Sequence, residues 1–228
     1  MLKSYVKRTG HFTAAQKNAY DTLSDQFLIP VLMDNQNPSS CGCEKLDFKK
    51  IFFNENNVTL EIGFGSGAAT AKIALENPDK NYLGIEVHRP GIGRLLWEIH
   101  KNNLSNIRIM ECDAAVAVSS MINKNSLDAV HIFFPDPWPK KRHHKRRLIQ
   151  RPFTNEIVGL LKKGGYLYMV TDWEDYGLFA LEELTLTETL KNAYDDFAAP
   201  QIWRPKTNFE QKGLDKNHVI RELFFIKS

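Results

Sequence analysis

From Val58 onward, short apolar runs alternate with amphipathic stretches. Val58 to Ile62, Tyr82 to Val87, Ile107 to Cys112, Leu127 to Phe134 and Gly165 to Thr171 have the pattern of strands buried on both faces. Between them, Gly67 to Glu76, Arg89 to Asn102, Ala114 to Ile122, Leu148 to Leu161 and Trp173 to Leu184 carry apolar residues at helical spacing. Five alternations of strand and helix call for a mainly parallel sheet covered by helices, an α/β three-layer sandwich of Rossmann-like type. The tail from Val219 to Ile226 predicts one more strand, an antiparallel arm beside Ile202 or Trp203.

Residues 1–50 break this rhythm, mixing charge, Asn, Ser and Gly around one aliphatic cluster, Phe27 to Leu32. They read as an N-terminal extension that drapes on the core or is flexible beside it, with mobility expected near Lys7, Arg8 and His11, and with one main domain over 51–228. No apolar run approaches a membrane span, and the basic start is followed by no signal-like apolar stretch, so a cytoplasmic protein is expected. Cys41 and Cys43 match no zinc or redox spacing and Cys112 reads as a small core residue; no structural metal is expected.

Charge changes the picture through its distribution. The net value is only +3, yet Lys140, Lys141, Arg142, Lys145, Arg146, Arg147 and Arg151 crowd one short stretch with His143 and His144 among them. A charge run is usually a solvated face. This one begins four residues after Asp136 in Phe133-Phe134-Pro135-Asp136-Pro137-Trp138-Pro139-Lys140, where two prolines bracket the carboxylate and restrict its backbone. Phosphate binding beside a reaction centre explains the run better than chance does.

The first predicted strand ends in Leu60-Glu61-Ile62-Gly63-Phe64-Gly65-Ser66-Gly67, glycines that permit a tight turn and a close backbone approach to a ligand. Gly63, Gly65 and Ala68 also satisfy a loose dinucleotide fingerprint, so a nicotinamide enzyme is the competing reading. Glu61 weighs against it: a pyrophosphate would bring negative charge to this corner, whereas S-adenosylmethionine brings an ammonium and a sulfonium. A structural ion pair is the other account of Glu61. Glu86, 21 residues after Gly65, suits ribose hydroxyls under either cofactor. Asp113 suits an adenine amino group, a helix N-cap, or both.

Together, Glu61 to Gly67, Glu86-Val87-His88, the Phe134 to Lys140 element with Arg142-His143 and Lys145-Arg146-Arg147, Thr171-Asp172-Trp173, and Thr207-Asn208-Phe209-Glu210 resemble the bacterial tRNA (guanine-N7-)-methyltransferase family, in order from about Val58 to Phe225. Arg8-Thr9-Gly10-His11 is similar to the family's basic leader; Cys41 to Lys50 matches none of its motifs. The resemblance implies a class I methyltransferase fold and transfer of a methyl group from S-adenosylmethionine to N7 of a guanine in tRNA, variable-loop guanine 46, giving 7-methylguanosine and S-adenosylhomocysteine. It implies cofactor contacts from Glu61, Gly63, Gly65, Gly67, Glu86, Asp113 and Asp136, with Asp136 also catalytic. Lys140, Asp172, Thr207, Asn208, Phe209 and Glu210 become substrate contacts, and Arg142, Lys145, Arg146 and Arg147 the RNA-binding cations. Without it, Thr207 to Glu210 reads as a connecting loop and Asp172 as a helix cap. tRNA is the expected partner, with no membrane or DNA, for a monomer or homodimer. A noncatalytic RNA-binding module would lack the glycine turn or the acid after the fourth strand, and neither is missing.

Overall fold

The computed structural model describes residues 10–31 and 44–228. Lys7, Arg8 and Thr9 of the basic leader, Leu32, and Cys41 with Cys43 lie outside those residues. The described chain forms two compact units, one of 10–31, 44–123 and 203–205, the other of 124–202 and 206–228.

The first unit runs α1 (Ala14–Phe27), α2 (Phe48–Phe52), β1 (Val58–Ile62), α3 (Ala68–Glu76), β2 (Asn81–Glu86), α4 (Arg89–Lys101), β3 (Ile107–Glu111) and α5 (Ala114–Val116), which continues into one π turn, Ala117–Met121. Its three strands are parallel in the order β3-β2-β1, with Glu61 level with Gly84 and Glu86 level with Glu111. Every β1 residue is buried, as expected for a strand covered on both faces. Leu60, Leu83, Ile92, Leu95, Leu96, Ile107 and Ile109 are fully enclosed. Each contributes roughly 1.5–3 kcal/mol of apolar burial.

Helix α1 was not legible as a helix, because only Ala19 and Phe27 of it are buried and no apolar stripe marks it. A capping box starts it, with Thr13 Oγ1 accepting from Gln16 N and Gln16 Oε1 accepting from Thr13 N. Tertiary bonds then hold it: Tyr20 donates its hydroxyl to Glu111, and Ile29 N donates to Ile109 O at 2.8 Å. The aliphatic cluster thus adds a parallel bridge beside β3, Leu28 opposite Ile109.

The second unit contains β4 (Leu127–Phe133), a 3-10 turn at Lys141–Arg146, α6 (Phe153–Leu160), β5 (Leu161–Thr171), α7 (Glu174–Thr185), β6 (Leu190–Asn192), α8 (Asn208–Leu214) and β7 (Arg221–Lys227). Its strands lie in the order β4-β5-β7-β6, with β4 and β5 parallel and β7 antiparallel to both neighbours. The tail is therefore the antiparallel strand expected, but its partners are β5 and β6 rather than Ile202 or Trp203. That register sets buried Leu223 and Phe225 level with Met169 and Leu167, while Glu222 bridges Ala198 and accepts from Gln201 N, just short of the fully exposed Ile202. Helix α6 is shorter than its apolar spacing suggested, since Pro152 sits at its N-cap and a proline ring clashes with a preceding helical turn. Leu148 and Ile149 are buried from an irregular segment instead. Among the described residues no helix is long and apolar enough to cross a membrane.

The glycine turn after β1 and the start of α4 are in backbone contact, because a Cβ on Gly91 would lie 2.0 Å from Gly65 O. Gly91→Ala is expected to cost about 1–3 kcal/mol by overpacking against backbone that cannot rotate away. Gly159→Ala, where the new methyl meets nothing within 4 Å, should stabilise by about 0.4–1 kcal/mol. Urea midpoints for the two variants check this; equal midpoints would remove the claimed contact.

Candidate active site

Glu61, Glu86, Glu111 and Asp113 lie at the carboxyl ends of β1, β2 and β3. Gly63, Gly65 and Gly67 all have left-handed backbone, with φ of 76°, 59° and 68°, which side chains disfavour. A Cβ on Gly67 would also fall 2.6 Å from the Leu95 side chain, while the space over Gly63 is open. The turn is braced by Glu86, whose Oε2 accepts from Gly65 N at 2.8 Å and whose Oε1 accepts from Val87 N and His88 N at 2.7 and 3.0 Å. Asp113 caps α5 by accepting from Ala115 N at 2.9 Å.

Glu61 is 3% exposed and lies within β1. Burial pushes its carboxyl up to about 7; the Thr70 hydroxyl opposes the rise and Glu86 adds to it. Thr70 Oγ1 is itself buried with no partner in hydrogen-bonding geometry, so its pull on Glu61 is partial. A buried acid held near neutrality, an orphaned hydroxyl beside it and an open glycine turn fit a ligand that brings positive charge close to backbone. A pyrophosphate would meet the opposite electrostatics.

In the second unit, Phe134 and Trp138 bracket Pro135-Asp136-Pro137 with left-handed φ of 50° and 48°. Phe134 N donates to Val170 O at 2.8 Å, which ties the start of the segment to β5. Lys140, Lys141, Arg142 and Lys145 are exposed, and Arg146 lies 3.8 Å from the centre of the Trp138 ring. Desolvation and then Arg142, Arg146, Lys140 and Lys145 hold His143 below the usual imidazole range, a sign of the positive field there.

Arg147 departs from the RNA-binding expectation: it is 1% exposed, ion-paired to Asp175, and its guanidinium lies over the Tyr176 and Phe179 rings at 5.1 and 4.9 Å. A cation enclosed by aromatic rings cannot meet a phosphate without unpacking them.

Asp172 does not cap α7; Trp173 takes that position, and Asp172 Oδ2 lies 3.0 Å from His218 Nδ1. Thr207 to Glu210 is likewise not a plain loop, since Thr207 caps α8 in a capping box with Glu210, which is buried. Gly213 at the far end of α8 presses on Asp172, where a Cβ would fall 2.8 Å from Oδ2. The helix that presents exposed Phe209 and the acid after β5 therefore form one assembly. His218 gave no signal in sequence, being one polar residue in a polar stretch, and Thr70 looked like an ordinary helix residue.

The chain matches the methyltransferase family Methyltransf_4 over residues 55–223. It is 45% identical over 227 residues to a tRNA (guanine-N(7)-)-methyltransferase of Nitrosomonas eutropha, covering 100% of this chain and 97% of that one. Against a protein of the same name from Neisseria meningitidis serogroup C it is 46% identical over 224 residues, covering 98% and 90%. The solved structure of the 16S rRNA methyltransferase KamB superposes with a TM-score of 0.57 at 12% identity, covering 100% of both chains, a likeness of fold. The fold is thus the Rossmann-like class I methyltransferase sandwich, and the chain belongs to the tRNA (guanine-N(7)-)-methyltransferase family.

Proposed function

We propose that this protein transfers a methyl group from S-adenosylmethionine to N7 of a guanine in tRNA, the variable-loop guanine 46. The observation that carries it is the proline-bracketed Asp136 followed at once by the exposed cations Lys140, Lys141, Arg142 and Lys145. A rigid carboxylate beside a phosphate-attracting surface is what methylation of a polyanion's base requires. Residues 51–228 carry this activity and 1–50 extend it.

Glu61 is read as the partner of the cofactor's ammonium group, Glu86 as the acceptor for its ribose, Asp113 as the partner of its adenine, and Gly63, Gly65 and Gly67 as the backbone that approaches it. When bound, the cofactor supplies an electrophilic methyl group on a sulfonium. Guanine N7 carries an in-plane lone pair and loses no proton on methylation, so no strong general base is needed and the product base is cationic. Asp136 and Asp172 are suited to favour that positive charge and to hold the guanine N1 and amino hydrogens. Lys140 and the Thr207, Asn208, Phe209 and Glu210 segment are assigned to the substrate, with exposed Phe209 offering a stacking face. Arg142, Lys145 and Arg146 are assigned to RNA phosphates.

The test is incubation with labelled S-adenosylmethionine and unmodified tRNA, followed by nucleoside analysis. Label in 7-methylguanosine is the expected result, lost when guanine 46 is replaced; label in any other nucleoside overturns the reading.

Three further outcomes are expected. Asp136→Ala should fold normally, since it removes no core volume, and lose at least about 100-fold in transfer rate; normal turnover would sink the assignment. Cofactor affinity should fall as pH drops below about 7, approaching tenfold per pH unit, because a cationic ligand favours ionised Glu61 and binding must release its proton. Above about 7 the affinity should level off. Calorimetry across pH checks this, and a profile of the same slope in Glu61→Gln would dissociate the effect from Glu61. Finally, Arg142→Ala and Lys145→Ala should each lower the log–log salt dependence of tRNA binding by about one unit; an unchanged slope returns them to ordinary surface.

A further inference from the structure

The segment that carries Asp136 has few backbone donors. Pro135, Pro137 and Pro139 supply no backbone N–H, and Phe134 and Trp138 sit in left-handed backbone that costs of order 1–3 kcal/mol each unless the surroundings enforce it. The Phe134 bond to Val170 restrains only its start. At the other end, the carbonyl immediately after Asp136 is met by Arg147, whose Nε donates to Pro137 O at 3.1 Å.

Arg147 is itself over-determined. Its Nη2 donates to Asp175 and lies 3.2 Å from His144 Nε2, and its guanidinium rests over the Tyr176 and Phe179 rings of α7. Tyr176 is fully buried and accepts from Ile149 N at 3.0 Å, so α7 also fixes the chain just after Arg147. Asp175 remains 63% exposed, so the guanidinium is interior and its partner sits at the rim. Enclosing a cation this way is a poor route to stability, since an apolar chain of equal volume fills such a space at lower desolvation cost. What an apolar chain cannot do is donate to Pro137 O and Asp175 together. A lysine cannot reproduce that planar fork either.

We infer that Arg147 is a positioning residue for the methyl-transfer step, a strut braced on α7 that sets the backbone of the Asp136 segment. This rests on the proposed function for its kinetic consequence and stands apart from it for its structural one. Arg146, by contrast, stacks on Trp138 from the surface side and is half-exposed. Adjacent arginines of one basic run thus have opposite jobs.

The experiment compares wild type with Arg147→Lys, Arg147→Met and Asp175→Asn. Each variant is measured for tRNA affinity across salt, cofactor affinity, and single-turnover methyl transfer with both ligands saturating. Arg147→Lys and Arg147→Met are expected to lose about 10- to 100-fold in the saturated rate, the loss that a displacement near 1 Å brings. Affinities should stay within about threefold and the salt slope should be unchanged. Asp175→Asn, which keeps a hydrogen-bond acceptor, should lose less. A weakened tRNA affinity and flatter salt slope with the saturated rate intact would make Arg147 a phosphate contact and overturn the proposal. A lower melting temperature with a wild-type saturated rate well below that temperature would make it merely structural, and also overturn it. Crystal structures of wild type and Arg147→Met decide independently of which RNA is accepted: Pro137 O and Asp136 should shift by about 1 Å, and an unmoved segment overturns the strut even if wild type methylates tRNA. A wild type that makes no 7-methylguanosine would instead remove the proposed function, leaving the crystallographic comparison to decide the strut.

Discussion

Strands buried on both faces can place polar chemistry only at their ends, and the candidate site follows from that constraint. Within β1, β2 and β3 the backbone is engaged in the parallel ladder, and buried side chains must be apolar or partnered. At their carboxyl ends the backbone N–H groups become free, and Glu86 gathers three of them, from Gly65, Val87 and His88. That carboxylate holds the glycine turn in left-handed backbone and ties it to β2. The turn in turn leaves room for α4 to approach through Gly91, where no larger residue fits.

The two units treat charge in opposite ways. In the first, burial raises the Glu61 carboxyl and the nearby Glu86 adds to the rise, so a cation brought to this corner would favour the ionised form. In the second, positive charge is abundant at the surface along Lys140 to Lys145, and the acids Asp136 and Asp172 are half-buried. Methylation of a neutral guanine by a cationic donor moves positive charge from cofactor to base. Under the proposed function, acids are read as favouring that charge and surface cations as holding a polyanion.

Rigidity in the second unit comes from side chains rather than from regular structure. Arg147 and the Tyr176 ring hold the irregular chain between β4 and α6, and Asp172 is held by His218 and by the close approach of Gly213. Tyr176 and His218 reach across 27 and 46 residues to do so, which adds distant restraints to the local hydrogen bonds of these loops. Aromatic faces supply much of the surface against which the guanidinium groups rest, Trp138 for Arg146 and Tyr176 with Phe179 for Arg147.

The apolar runs determined β1 to β5 by themselves, because a strand covered on both faces has few sequence solutions, and the glycines after β1 announced a turn that only they tolerate. Glu61 was legible as a carboxylate inside a buried strand for the same reason, and an acid there is costly unless something meets it. Helix α1 was not legible, since its stability lies in a cap and in Tyr20 reaching Glu111, neither of which leaves a periodic trace. The partner of the last strand was decided by how Leu223 and Phe225 fill the core, a packing question with no local signature. Most plainly, a run of basic residues reads alike at every position, and only the tertiary structure separates exposed Arg142 and Lys145 from enclosed Arg147. Charge is written in the sequence, but whether water or an aromatic ring surrounds it is settled by contacts between distant elements.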